Sequence, residues 1–166
     1  AARIFSDRFG QPLCSARTIT NGLQPADFTP VEPHTNAADF VFVGELRQLK
    51  GVHVLLEALA RLNKTQVVRA VIVGDGPERD CLAETLPSAV FTGALSGEEL
   101  AQAYASLDIF VHAGEFETFC QSIQEAQASG VPTIGPRAGG PVDLIQEGYN
   151  GLLLDVDSFV EDQIGR

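Results

Sequence analysis

The chain has 166 residues, 45% of them hydrophobic, enough for one domain with a sizeable core. Twenty-two acidic against 11 basic side chains give a net charge of −11, which repels phosphate backbones and disfavours nucleic acid as a partner. No run approaches the roughly 20 apolar residues of a membrane span, and the opening AARIFSDRFG lacks the apolar stretch of a signal peptide.

In chain order, Pro12, Pro25, Pro30 and Pro33 break any long element in the opening segment. After Asn36, short apolar runs alternate with helix-period segments: FVFV at 40–43, AVIV at 70–73, AVFT at 89–92, DIFV at 108–111, VPTI at 131–134 and GLLL at 151–154. Apolar on both faces, they read as parallel strands buried between helix layers. Between them, Val52, Leu55, Leu56, Leu59 and Leu62 form one helical stripe. Pro77 suits the first turn of the next helix, and Ser96 with Glu99 has capping-box spacing. Thr118 is placed to cap a helix from Phe119 to about Ala128, ended by Gly130. Repeated βα units of this kind predict an α/β fold, a Rossmann-like doubly wound parallel sheet.

Ligands of such sheets bind beyond the carboxyl ends of the strands. The first of these loops sets Arg47 and Lys50 just before a helix N-terminus, a pairing that suits an anion and equally suits a solvated loop. Gly74-Asp75-Gly76-Pro77 lacks the third glycine of a dinucleotide fingerprint and reads as a tight turn. The third loop carries Glu117 just before a helix and Glu125 within it. Such carboxylates accept sugar hydroxyls, or simply line a wet helix face. His112 reads as pocket wall rather than base. Cys120, beside a helix N-terminus, is a candidate for a lowered thiol pKa but a poor candidate nucleophile. Asp155-Val156-Asp157 reads as a polar turn rather than a metal site, and no metal is expected. Cys14, Cys81 and Cys120, odd in number and without CxxC spacing, favour a reducing, cytoplasmic setting.

The loops together carry a resemblance. Ile19-Thr20-Asn21-Gly22 with Phe28 and Pro30, Phe42-Val43-Gly44 through Lys50-Gly51, and Val73-Gly74-Asp75-Gly76-Pro77 come first. Asp108-Ile109-Phe110-Val111, then Glu117 and Phe119 leading to Glu125-Ala126 and Ser129-Gly130-Val131-Pro132, follow. Gly139-Gly140-Pro141 and Gly148 with Gly151 close the series. In this order the set resembles the retaining glycosyltransferases of the GT-B fold, family 4 (group 1), in their C-terminal, donor-binding half. Five positions depart from the pattern: Glu45 stands for an arginine, Cys120 for a glycine, Ala113-Gly114 for Pro-Ser, and Asp143 for a glutamate.

The resemblance implies that residues 1–36 are an interdomain segment and 37–166 a nucleotide-sugar-binding domain. The acceptor-holding N-terminal domain would lie outside this chain; the lack of any methionine fits a piece of something longer. It implies transfer, with retention, of a sugar from a UDP- or GDP-sugar to a glycan, lipid or small-molecule acceptor, without a cofactor. Membrane contact, if any, would be peripheral, at the inner face, and made through the absent domain. Glu117 would contact the transferred sugar and Lys50 the leaving diphosphate, these two being the catalytic residues. Gly44, Arg47, Phe119, Cys120 and Glu125 would bind the donor, with Glu125 on the ribose and Arg47 a candidate replacement for the arginine missing at Glu45. Two alternatives stay open: a non-catalytic nucleotide-sugar-binding or regulatory module, and a nucleotide-sugar epimerase.

Overall fold

The computed structural model describes residues 38–65 and 67–155. The motifs at Ile19–Gly22 and Phe28–Pro30, Cys14 and Asp157 lie outside them. Six strands form one sheet: β1 (Ala38–Val43), β2 (Ala70–Val73), β3 (Val90–Gly93), β4 (Leu107–Val111), β5 (Thr133–Pro136) and β6 (Gly151–Leu154). Their order is β3-β2-β1-β4-β5-β6, and every pairing is parallel. The Rossmann-like reading holds.

Helices cover both faces. On one side α1 (Val52–Leu62) and α2 (Arg79–Thr85) enclose Phe42, Leu46, Val52, Leu55, Leu59, Ile72 and Leu82. On the other, α3 (Gly97–Ala105) and α4 (Gln121–Ala128) enclose Tyr104, Phe110, Ile123, Ala126 and Val131, with the short α5 (Pro141–Leu144) beside α4. The α1 stripe points inward as its period predicts. Each of its fully buried aliphatic side chains contributes about 1.5–3 kcal/mol of burial.

Burial on both faces is confined to the centre of the sheet. At the edges, Val90 of β3 is 58% exposed and Leu152 of β6 is 48% exposed, because an edge strand has a neighbour on one side only. Local boundaries also differ from expectation. β5 begins at Thr133 rather than Val131: the Val131 N–H is taken by the Ala126 carbonyl, and Pro132 has no N–H to offer a ladder. Pro77 lies in the turn before α2, since the next N–H, that of Glu78, goes to the Leu46 carbonyl. Ser96 occupies the N-cap of α3 in extended conformation but makes no side-chain cap bond; Glu98 and Glu99 meet the helix dipole instead. Thr118 is not a cap, because α4 starts at Gln121 behind Cys120.

The end of α4 follows the sequence closely. Gly130, at φ 78°, takes the left-handed position, its N–H reaching Gln127 while Val131 reaches Ala126. That is the paired bonding of a Schellman stop. Among the described residues no helix is long and apolar enough to cross a membrane.

Candidate functional site

β2 lies on one side of β1 and β4 on the other, so the chain reverses its direction of growth between β1 and β4. Loops leaving these two strands diverge and open a crevice at their carboxyl ends. A cleft of about 440 Å³ occupies it. The end of β1 supplies Gly44 and Glu45, the turn before α1 supplies Lys50, the end of β4 supplies His112, and the approach to α4 supplies Glu117 to Ser122, with Glu125 one turn further in.

Lys50 reaches the cleft through a single 3-10 turn, Gln48–Lys50, closed by Gly51 at φ 70°. A Cβ on Gly51 would stand 2.1 Å from the Ala113 carbonyl oxygen, so only glycine lets α1 begin this close to the end of β4. The turn at Asp75-Gly76 braces the same loop: Leu46 donates to the Asp75 carbonyl at 2.9 Å and its own carbonyl accepts from Glu78 at 3.1 Å. The tight-turn reading of Gly74–Pro77 thus acquires a purpose, holding the loop that presents Lys50.

Across the cleft the Lys50 ammonium donates to Glu117 Oε1 in a half-buried ion pair. Glu117 is held from behind as well, since its carbonyl accepts the Gly140 N–H at 2.8 Å. Glu125 sits inside α4, and its Oε2 accepts the Tyr104 hydroxyl at 2.9 Å. Burial raises the Glu125 carboxyl above the usual range, an effect that the Tyr104 hydrogen bond partly offsets. The first-turn N–H groups of Gln121 and Ser122 have no acceptor within α4, and both residues line the cleft. Glycosyl oxygens or a phosphate could meet donors of this kind there.

Cys120 departs from expectation. It is the only described non-glycine residue with positive φ, 55°, and its thiol is buried, with Sγ 3.5 Å from His112 Nε2. Burial, reinforced by the Glu117 charge, pushes the thiol up to about 12, so proximity to a helix N-terminus does not lower it. His112 is buried and kept neutral by that burial, with Nε2 3.1 Å from the Gly114 carbonyl, as a pocket-wall residue should be. Arg47 does not line the cleft; its guanidinium donates to Glu45 in an exposed pair. Lys50 is therefore the cation that faces the cleft among the described residues. Asp155 is engaged by Arg137 at 2.9 Å, as a surface turn residue. Among the described residues no group of three or more potential metal ligands is clustered.

The structure brings Lys50, Gly44, Glu117, Phe119, Cys120 and Glu125 to one cleft. The sequence reading gave Tyr104 no part in the site, and held Gly140 only as a member of the Gly139-Gly140-Pro141 motif. Tyr104 shows in sequence only as one apolar-face position of a helix, and its partner lies 21 residues away.

The chain matches the family described as Glycosyl transferases group 1 over residues 37–164. It belongs to that family. A GDP-mannose-dependent alpha-mannosyltransferase of Corynebacterium glutamicum is 68% identical over 120 residues, covering 72% of this chain and 28% of that protein. Among solved structures, HepE of Anabaena in complex with UDP and glucose has a TM-score of 0.69 at 25% identity, over 81% of this chain and 42% of its own. The C-terminal domain of the group 1 glycosyl transferase LpcC of Francisella tularensis has a TM-score of 0.69 at 24% identity, over 86% and 85% of the two chains. At that identity the likeness is one of fold. This group 1 chain spans less than a third of the length of its Corynebacterium relative.

Proposed function

We propose that this chain is the donor-binding domain of a retaining glycosyltransferase that takes mannose from GDP-mannose, the acceptor being held by a domain outside the chain. The observation that carries the reading is the convergence of Lys50, Glu117 and Glu125 on one cleft at the switch point of a group 1 sheet. The choice of donor rests on the printed name of the Corynebacterium relative, at 68% identity. Family membership favours transfer over epimerisation.

In this reading the diphosphate lies against the first turn of α4 and Lys50. Negative charge grows on the leaving diphosphate in the transition state, and an ammonium beside pre-oriented N–H dipoles stabilises it without reorganising. The phosphate also competes with Glu117 for the Lys50 ammonium. Breaking that ion pair releases the Glu117 carboxylate toward the sugar, where positive charge builds at the anomeric carbon. Glu125 accepts the ribose hydroxyls. No cofactor or metal takes part in this scheme.

Titration calorimetry tests it. GDP should bind at least about tenfold more tightly than GMP, because only the diphosphate reaches both Lys50 and the helix end. GDP-mannose should bind more tightly than UDP-glucose. Equal affinity for GDP and GMP would refute a diphosphate site, and preference for UDP-glucose would refute the donor.

A further inference from the structure

Resting on the ribose reading of Glu125 above, we infer that Tyr104 is a positioning residue that sets nucleotide affinity by orienting the Glu125 carboxylate toward the ribose. Tyr104 is completely buried on α3, its ring packed edge-on against Phe110 with centroids 5.8 Å apart. Its place is therefore set by the core, not by the cleft. From that fixed point the hydroxyl donates to Glu125 Oε2 at 2.9 Å. The other oxygen, Oε1, has no protein partner among the described residues, while Glu125 itself lines the cleft.

The division of labour follows from the chemistry of a carboxylate. It accepts hydrogen bonds at both oxygens, so a donor on one fixes the rotation of the group and leaves the other aimed outward. The phenol is an obligate donor: burial and the Glu125 charge hold it far above the usual tyrosine range, so it never ionises under ordinary conditions. A glutamate free to rotate on a helix would give up side-chain entropy each time it met a ribose. Tyr104 removes that cost in advance, and it does so from outside the cleft, which makes it a positioning residue rather than a catalytic one.

The test compares GDP with 2′,3′-dideoxy-GDP on the whole protein, for the parent, Tyr104→Phe, Glu125→Gln and the double variant. Tyr104→Phe should weaken GDP binding about two- to tenfold, the worth of one hydrogen bond, and leave dideoxy-GDP binding unchanged. In turnover it should raise the donor KM with kcat preserved. The double variant should bind GDP no more weakly than Glu125→Gln alone, because the ribose-directed effect of the hydroxyl is exerted through that carboxylate. Equal weakening of both nucleotides by Tyr104→Phe, or no weakening, overturns the proposal. If those results come with a ribose-specific loss in Glu125→Gln, the ribose reading survives and only the role of Tyr104 falls. If the parent and Glu125→Gln both bind the two nucleotides alike, the ribose reading itself fails and takes the proposal with it. Should Tyr104→Phe not fold, 3-fluorotyrosine at position 104 keeps the ring and alters the acidity of the phenol. Its GDP affinity must then change where its dideoxy-GDP affinity does not, and parallel behaviour refutes the inference.

Discussion

Glu117 and Glu125 stand eight positions apart, yet the structure gives them different surroundings. Glu117 shares a proton donor with the cleft, the Lys50 ammonium, whereas Glu125 is tied to a core tyrosine. Their loss should therefore be felt at different stages of the reaction. Glu117→Gln is expected to lower kcat by about tenfold to a thousandfold with no loss of nucleotide affinity, because Glu117 acts as charge develops and its removal leaves Lys50 free for the phosphate. Glu125→Gln should chiefly raise the donor KM, since ribose is held alike in ground and transition states. Steady-state kinetics of the two variants decide it, and the reverse pattern would exchange their roles.

Glu125 also carries a stability consequence. An acid whose folded pKa is raised resists ionising in the fold. The fold is thus penalised at pH above the raised value and not at pH below the ordinary glutamate value. Glu125→Gln keeps an acceptor for Tyr104 and removes the penalty. Its melting temperature should exceed the parent's at pH 7.5, and the gain should vanish as pH falls below the glutamate range. A gain that persists at low pH would assign it to packing instead. This is the trade of stability against function expected of a binding carboxylate.

At the scale of elements, two glycines separate conformational from steric need. Gly130 ends α4 at φ 78° with nothing within 4 Å of an added Cβ, so Gly130→Ala meets only left-handed backbone strain, about 1 kcal/mol. Gly51 combines φ 70° with a Cβ position 2.1 Å from a carbonyl oxygen. Gly51→Ala must push α1 and β4 apart, at a cost of about 3 kcal/mol or more. It should also weaken GDP binding by displacing Lys50, while Gly130→Ala leaves binding unchanged. Denaturant melts paired with calorimetry would show this; equal losses at both sites would mean that the close approach at Gly51 is not rigid.

For the molecule as a whole, the parallel six-stranded sheet has its own two-sided core, and the cleft is built from the end of β1, the loops that follow β1 and β4, and the first turns of α4. The 166-residue chain is expected to unfold cooperatively and to bind GDP, yet to transfer no mannose alone, since the acceptor would be held elsewhere. Turnover by the chain alone, followed by release of GDP in the presence of acceptor, would overturn the two-domain division proposed above.

The element pattern was legible in sequence because it depends on local periodicity. Apolar runs, the Val52–Leu62 stripe and Gly130 act within a few residues, and each appears in the structure where its period placed it, to within about two residues. The loops of the site were legible for a related reason: a doubly wound sheet delivers the carboxyl ends of its strands to one edge, so Lys50 and Glu117 had to be near neighbours once the fold was known. What spacing could not show was which groups touch. The Lys50–Glu117 pair spans 67 residues, and the Tyr104 hydroxyl finds Glu125 only because α3 and α4 pack on the same face. Cys120 is the plainest case. Its position beside a helix N-terminus argued for an acidic thiol, but burial decides the matter, since desolvation outweighs the helix end and depends on every neighbour in space rather than on any neighbour in sequence.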